Sequence, residues 1–172
     1  MKTYLDKNVY EAALERIAYC FQEFDNVLVA FSGGKDSGVL LNLCYNYADE
    51  HGLLDKLTMY HLDYEAQYQM TTEYVTRTFL EQFPGIRKMW YCVPIKAQSA
   101  CALGEPYWTP WDAAKKKLWV RAMPENPYVV HEGNLDVPFR HGMVDYEFQD
   151  KLSRHFAKKR GTTAVMVGLR AD

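Results

Sequence analysis

The chain has 172 residues, 48% of them hydrophobic and 24% charged, with a formal net charge of -2. That composition excludes a disordered or fibrous chain and suits one domain with a sizeable core. The near-neutral balance also removes any global pull toward nucleic acid or a membrane surface, so an electropositive site has to be local.

Taken in chain order, the first element is a helix: Tyr10, Leu14, Ile17, Phe21 and Phe24 recur at helical spacing. Asp6, Glu11 and Glu15 break up this segment where a signal peptide needs an apolar stretch, and no later run is apolar for long enough to cross a bilayer. A cytoplasmic location is therefore expected. "NVLVAF" follows, a short continuous apolar run of the kind found in strands covered on both faces. After "SGGKDS", Leu40, Cys44 and Tyr47 keep helical spacing until Gly52.

"KLTMYHLD" reads as a second strand, residues 71–83 as a helix closed by Pro84-Gly85, and "RKMWYCVP" as a third strand. From about residue 95 to about residue 145 no regular pattern is expected, apart from a short helix with Asp112 as N-cap and the lysine run behind it. This insertion carries three of the four tryptophans and most of the prolines. Phe148, Leu152, His155 and Phe156 mark a last helix, whose basic end (Lys158, Lys159, Arg160) suits the negative end of its dipole. "TAVMVGL" is a fourth strand. Strands alternating with helices predict an α/β fold, a doubly wound and mostly parallel sheet with helices on both faces. The chain stops just past that strand, at the edge where such folds bind ligands, so a domain truncated at its C-terminal end is the expectation.

The 4 cysteines (Cys20, Cys44, Cys92, Cys101) form no C-x-x-C pair, and no histidine stands at a zinc-type spacing from them. Cys20 and Cys44 sit in apolar helical patterns and are expected to be buried thiols. Neither Cys92 nor Cys101 has a basic neighbour that would mark a thiolate. His141, beside Arg140 in a loop, is a candidate of low specificity.

The chemistry concentrates at Ser32-Gly33-Gly34-Lys35-Asp36-Ser37. A helix that starts directly after a buried strand turns its unpaired N–H groups toward the C-terminal edge of the sheet. Paired glycines allow close backbone approach, two serines add hydroxyls and Lys35 adds a cation, which together make an anion nest. Asp36 can cap the helix or help hold magnesium. The spacing fits neither G-x-x-x-x-G-K-[ST] nor G-x-G-x-x-G.

"SGGKDS" after an apolar strand resembles the signature of the PP-loop superfamily, the adenine nucleotide alpha-hydrolase-like proteins. That group includes ATP pyrophosphatases and phosphoadenosine phosphosulfate (PAPS) reductases. The resemblance implies that Ser32, Gly33, Gly34, Lys35, Asp36 and Ser37 hold the phosphates or sulfate of ATP or a PAPS-like nucleotide, with magnesium as a companion ion.

"DYEAQYQMT" stands where PAPS reductases carry D-T-G-x-x-F-P-E-T. Asp63, Tyr68 and Thr71 match in register, while Tyr64, Glu65, Gln69 and Met70 depart. By this resemblance Asp63 and Glu65 join the nucleotide-binding edge. "VGLRAD" is similar to the family segment G-[IL]-R-x-x-E, which makes Arg170 a second phosphate clamp and, with Lys35, a catalytic charge. "PYWTPWDAAKKKLWVRAMP" resembles the branch that includes the immunoglobulin-binding regulator proteins of enteric bacteria. Trp111, Trp119 and Arg121 either line a ligand there or anchor the loop.

The E-C-G-x-H motif of the reductases is absent from this sequence, so thiol-based reduction is not implied. Two functions follow from the resemblance. One is an enzyme acting on the phosphates of ATP or a sulfonucleotide, by charge stabilisation rather than a protein nucleophile. The other is a regulatory module that binds the nucleotide without turnover, beside a ParB-like DNA-associated partner. Direct nucleic-acid binding through Lys115–Lys117 or Lys158–Arg160 is the weakest reading, since both clusters are short.

Overall fold

The computed structural model describes residues 6–99 and 104–169. Helix α1 (Val9–Glu23) opens on a capping box, in which the Asn8 side chain accepts from the Glu11 amide while the Glu11 carboxylate accepts from the Asn8 amide. Strand β1 (Asn26–Ala30) leads through the glycine turn into α2 (Lys35–Glu50). A one-turn 3-10 helix (Leu54–Lys56) precedes β2 (Leu57–Leu62), which is followed by α3 (Gln69–Glu81) and β3 (Arg87–Cys92). Helix α3 ends two residues short of the expected Phe83. Gln82 is already extended, and Phe83 and Gly85 both take positive φ to turn the chain before β3.

The region from 95 to 145 is more ordered than its composition suggests. It contains a short antiparallel pair, β4 (Ala97–Gln98) with β5 (Tyr107–Trp108), and a 3-10 segment (Ala113–Leu118) capped by Asp112 as expected. It also supplies a fifth strand of the main sheet, β6 (Val129–His131). Three residues are too few to show a period of two in the sequence, and pairing with β3 in register Tyr91↔Val130 is what makes them a strand. Helix α4 (Asp145–Arg160) and β7 (Thr163–Val167) complete the fold.

The five strands run parallel in the order β6-β3-β2-β1-β7. Every residue of β2 is buried, as a strand covered on both faces requires. On one face Val27, Val29, Leu57, Met59 and Trp90 meet Ile17 and Phe21 of α1, Leu41 and Cys44 of α2, and Val75 and Phe79 of α3. On the other, Leu28, Tyr60 and Tyr91 meet Phe148, Leu152 and Phe156 of α4. The fold is thus α/β with helices on both faces, three against one. Each large side chain buried there contributes roughly 1.5–3 kcal/mol. No helix among the described residues is long and apolar enough to cross a membrane.

From β1 the chain moves outward in one direction to β2, β3 and β6, and only the last strand, β7, lies on the other side of β1. The switch point of this sheet is therefore between β1 and β7, where a crevice opens at the carboxyl ends of the strands.

Candidate functional site

The glycine turn lies at that crevice. Gly33 takes φ +83, and a Cβ there would come within 2.8 Å of Val75 Cγ2 and 3.0 Å of Thr71 Cγ2, so only glycine fits against α3. Gly34 is the N-cap of α2 and provides no side-chain cap. The Ser37 hydroxyl donates to the Gly34 carbonyl (2.9 Å), accepts from the Ser32 amide (3.2 Å) and lies 3.0 Å from the Ser32 hydroxyl. These contacts freeze the turn from within. Among the described residues, nothing accepts from the N–H groups of Gly33, Lys35, Asp36 or Ser37. The turn thus combines a fixed backbone with unused donors, and both Lys35 and Asp36 are exposed beside them.

The end of β7 runs across the same turn. A Cβ on Gly168 would meet the Asp36 carbonyl carbon at 2.8 Å and the Ser37 nitrogen at 2.9 Å, so the chain passes directly over the start of α2. A cavity of about 240 Å³ opens between these strand ends. Ser32, Ser37 and Gly168 form its polar end; Ala30, Tyr60, Leu62, Tyr64, Val167 and Leu169 form apolar walls; Gln149 of α4 closes it. Tyr60 Oη donates to Gln149 Oε1 (2.9 Å), and Tyr64 Oη donates to Asp145 Oδ2 (2.9 Å), which fasten the tip of β2 to α4. Arg170, the expected second clamp, lies outside the described residues, as does Cys101.

Asp63 and Glu65 are placed differently from the nucleotide contacts expected of them. Asp63 is fully buried, and its two carboxylate oxygens receive the Glu65 amide (2.7 Å), the Trp90 indole (2.7 Å) and Arg121 Nη2, which reaches both at 2.5 and 2.7 Å. A carboxylate has about four lone-pair positions, so these contacts saturate it. Glu65 accepts from the Trp111 amide at one oxygen and the Val120 amide at the other (2.9 Å each). Both carboxylates face the 111–121 segment rather than the crevice. They are saturated because low-dielectric surroundings make any unpaired carboxylate costly.

The aromatic segment is the other half of this knot. Trp111 donates from its indole to the Asp63 carbonyl (2.9 Å), packs edge-on against Trp119 at 5.1 Å and carries the Arg121 guanidinium over its ring at 4.8 Å. Trp111, Trp119 and Arg121 therefore anchor the loop. Glu65 and Trp111 both hold positive φ (63° and 54°), strain that the knot sustains.

His61 links the two regions. It is 1% exposed, and its Nδ1 lies 2.8 Å from the carbonyl of Phe31, the residue before the turn. A carbonyl only accepts, so Nδ1 carries the proton and Nε2 the lone pair. Burial lowers the pKa of His61 below the ordinary histidine value and keeps the ring neutral. Burial pushes the Cys92 thiol up, with the neighbouring Asp63 charge adding to the effect, so this cysteine is no thiolate nucleophile. His141 stands 4.0 Å from both Asp112 and Glu132, away from the crevice.

Sequence reasoning found the turn but missed the rest of the cavity. Tyr60 and Gln149 carry no motif, and 89 positions separate them in the chain. Alternation along β2 gave the only available signal, since it assigns Tyr60 to the face opposite Met59.

No model of a known protein family matches the chain. The chain is similar to YbdN of Escherichia coli (strain K12), an uncharacterized protein, with 31% identity over 170 residues. The similarity covers 98% of this chain and 40% of YbdN, so the chain spans well under half the length of the curated relative it matches.

Proposed function

We propose that the chain is a PP-loop-type domain that binds an adenine nucleotide, ATP or a PAPS-like sulfonucleotide, and acts on its phosphates. One observation carries this reading: Ser32 and Ser37 of a rigid, uncapped glycine turn line a largely apolar cavity at the switch point of the sheet, and the same turn has N–H donors without acceptors among the described residues. A ligand with an anionic end and a flat apolar end matches both halves of that cavity.

The chemistry available is charge stabilisation. Backbone donors and Lys35 face negative charge that grows on phosphate oxygens during transfer, and they do so without reorganising. A magnesium ion bound to such phosphates would enter as part of the substrate, and Asp36, the exposed carboxylate on the turn, would help hold it and neutralise phosphate charge. Arg170 is the proposed second clamp. Asp63 and Glu65 act here indirectly, by fixing the tip of β2 and the 111–121 segment. Burial keeps Cys92 protonated, so this thiol takes no part in the proposed chemistry.

Titration calorimetry with ATP and with PAPS tests the binding step, and analysis for AMP and pyrophosphate tests turnover. The Lys35→Ala variant is expected to lose about ten- to a hundredfold in nucleotide affinity, as removal of one charge-assisted contact predicts. Equal affinity in the variant, or no binding of either nucleotide to the parent protein, defeats the reading. Binding with no product shifts the assignment to the regulatory module.

A further inference from the structure

We propose that Gln149 reads the base of the bound nucleotide and selects adenine, through a two-point contact of its carboxamide to the amino group at position 6 and the ring nitrogen at position 7. The inference rests on the adenine-nucleotide reading above and adds to it a residue that no motif marks.

The cavity at the strand ends is polar at one end and walled by apolar side chains. Its proposed phosphate end is set by Ser32 and Ser37 on the glycine turn, and its apolar walls by Tyr60 and Leu62 on β2, Tyr64 just past β2 and Leu169 beyond β7. A flat ring held between such walls presents its edge to whatever polar group shares the space. The carboxamide of Gln149 is that group, and it comes from α4, on the face of the sheet that β2 turns toward with Tyr60.

Its orientation is fixed rather than free. Tyr60 donates its hydroxyl proton to Gln149 Oε1 at 2.9 Å, so the carbonyl end of the amide points at the tyrosine. Burial pushes the Tyr60 pKa up to about 12, which keeps that hydroxyl protonated and the direction of the bond unchanged at neutral pH. Oε1 retains a second lone pair, and Nε2 keeps both hydrogens, with no acceptor among the described residues. One acceptor site and one donor on a planar amide match the amino hydrogen and the ring nitrogen of adenine, the pairing by which glutamine reads that base elsewhere in chemistry. Guanine and hypoxanthine carry an oxygen at position 6. Against them the carboxamide has one donor for two acceptors, and Oε1 is left facing an oxygen.

Helix α4 also explains why the reader stays in place. Tyr64 donates to Asp145, one turn earlier on α4, so two tyrosines of one loop-and-strand unit hold the helix against β2. Phe148, next to Gln149, is fully buried against Tyr91 at 5.2 Å. The side chain therefore projects from a rigid support, which base discrimination requires.

Calorimetric titration of the full chain with ATP, ITP and GTP, and with PAPS, tests the proposal. The parent protein is expected to bind ATP about ten- to a hundredfold more tightly than ITP or GTP. Gln149→Met, similar in volume but without donor or acceptor, is expected to lose affinity for ATP and PAPS while that for ITP and GTP holds, so the preference collapses. Tyr60→Phe releases the amide and is expected to weaken the preference in part. A parent protein that binds ATP and ITP equally overturns the assignment of Gln149 and leaves the nucleotide reading standing. A Gln149→Met variant that weakens all nucleotides by one common factor also overturns it, since that is the mark of a merely structural contact. No nucleotide binding at all overturns both readings. Far-ultraviolet circular dichroism identifies a variant that fails to fold, and the ATP-to-ITP ratio of the parent and of Tyr60→Phe then decides.

Discussion

The tips of β1 and β2 are neighbours in the sheet and opposites in chemistry. At the tip of β1 a glycine turn is locked by two serines and leaves its N–H donors unused beside an exposed lysine. At the tip of β2 two buried carboxylates are saturated by donors from within the chain. Rigidity is common to both, but one is rigid with its bonding capacity open and the other with it closed. Acidic residues near a sheet edge therefore do not mark a ligand contact by themselves. What separates a site from a brace is whether the polar atoms still lack partners.

Substitution at the closed tip should have the largest effect. Asp63→Ala leaves the buried Trp90 indole and the partly exposed Arg121 without their shared acceptor, and should cost about 2–4 kcal/mol in urea unfolding, toward the lower end for removing one partner of a buried ion pair. A loss below about 1 kcal/mol would mean that the knot is no brace.

At the open tip the sensitive position is the backbone itself. Gly33→Ala combines a left-handed φ with a Cβ 2.8 Å from Val75, and should cost about 2–3 kcal/mol in thermal unfolding, with nucleotide affinity reduced in the protein that folds. Alanine tolerated without loss would show that the turn can rearrange.

His61 sharpens the link between the tips. Unfolded, it takes up a proton near its ordinary value of about 6.5, whereas burial lowers that value in the folded chain. Its contribution to stability is complete above the unfolded value and is lost as pH falls below it, because the unfolded state binds the proton first. The unfolding free energy from urea titrations should drop between pH 7 and pH 5, by up to about 1.4 kcal/mol per pH unit for this one proton, and His61→Gln should flatten the slope. Asp136, whose pKa is lowered by its hydrogen bond from Lys159, acts only in more acid solution and does not confuse that window. An unchanged slope in the variant would place the pH dependence elsewhere.

The smallest effect is the most telling. Lys35→Ala removes an exposed charge with no hydrogen bond or ion pair among the described residues, so stability should stay within about 0.5 kcal/mol while nucleotide affinity falls. If stability and affinity drop together, Lys35 supports the fold, and the contrast between the two tips disappears.

Much of the frame was legible in the sequence because its signals are local. A continuous apolar run, two glycines and a helical period sit side by side from Asn26 to Glu50, and neighbouring residues are enough to impose strand, turn and helix there. Asp112 as a cap and the basic end of α4 are likewise effects within one turn. The short strand β6 was not legible, since only its partner β3 gives Val129–His131 a direction.

The site itself divides along the same line. Local sequence determined the cradle, because paired glycines before a helix expose backbone donors whatever surrounds them. Tertiary structure alone decided the fate of Asp63 and Glu65, whose partners Arg121 and Trp111 lie 58 and 46 positions along the chain. It also decided that Gln149, 89 positions from Tyr60, closes the cavity. The physical reason is that a residue's own type fixes what bonds it is able to make, while burial and long-range packing fix which of them remain free for a ligand.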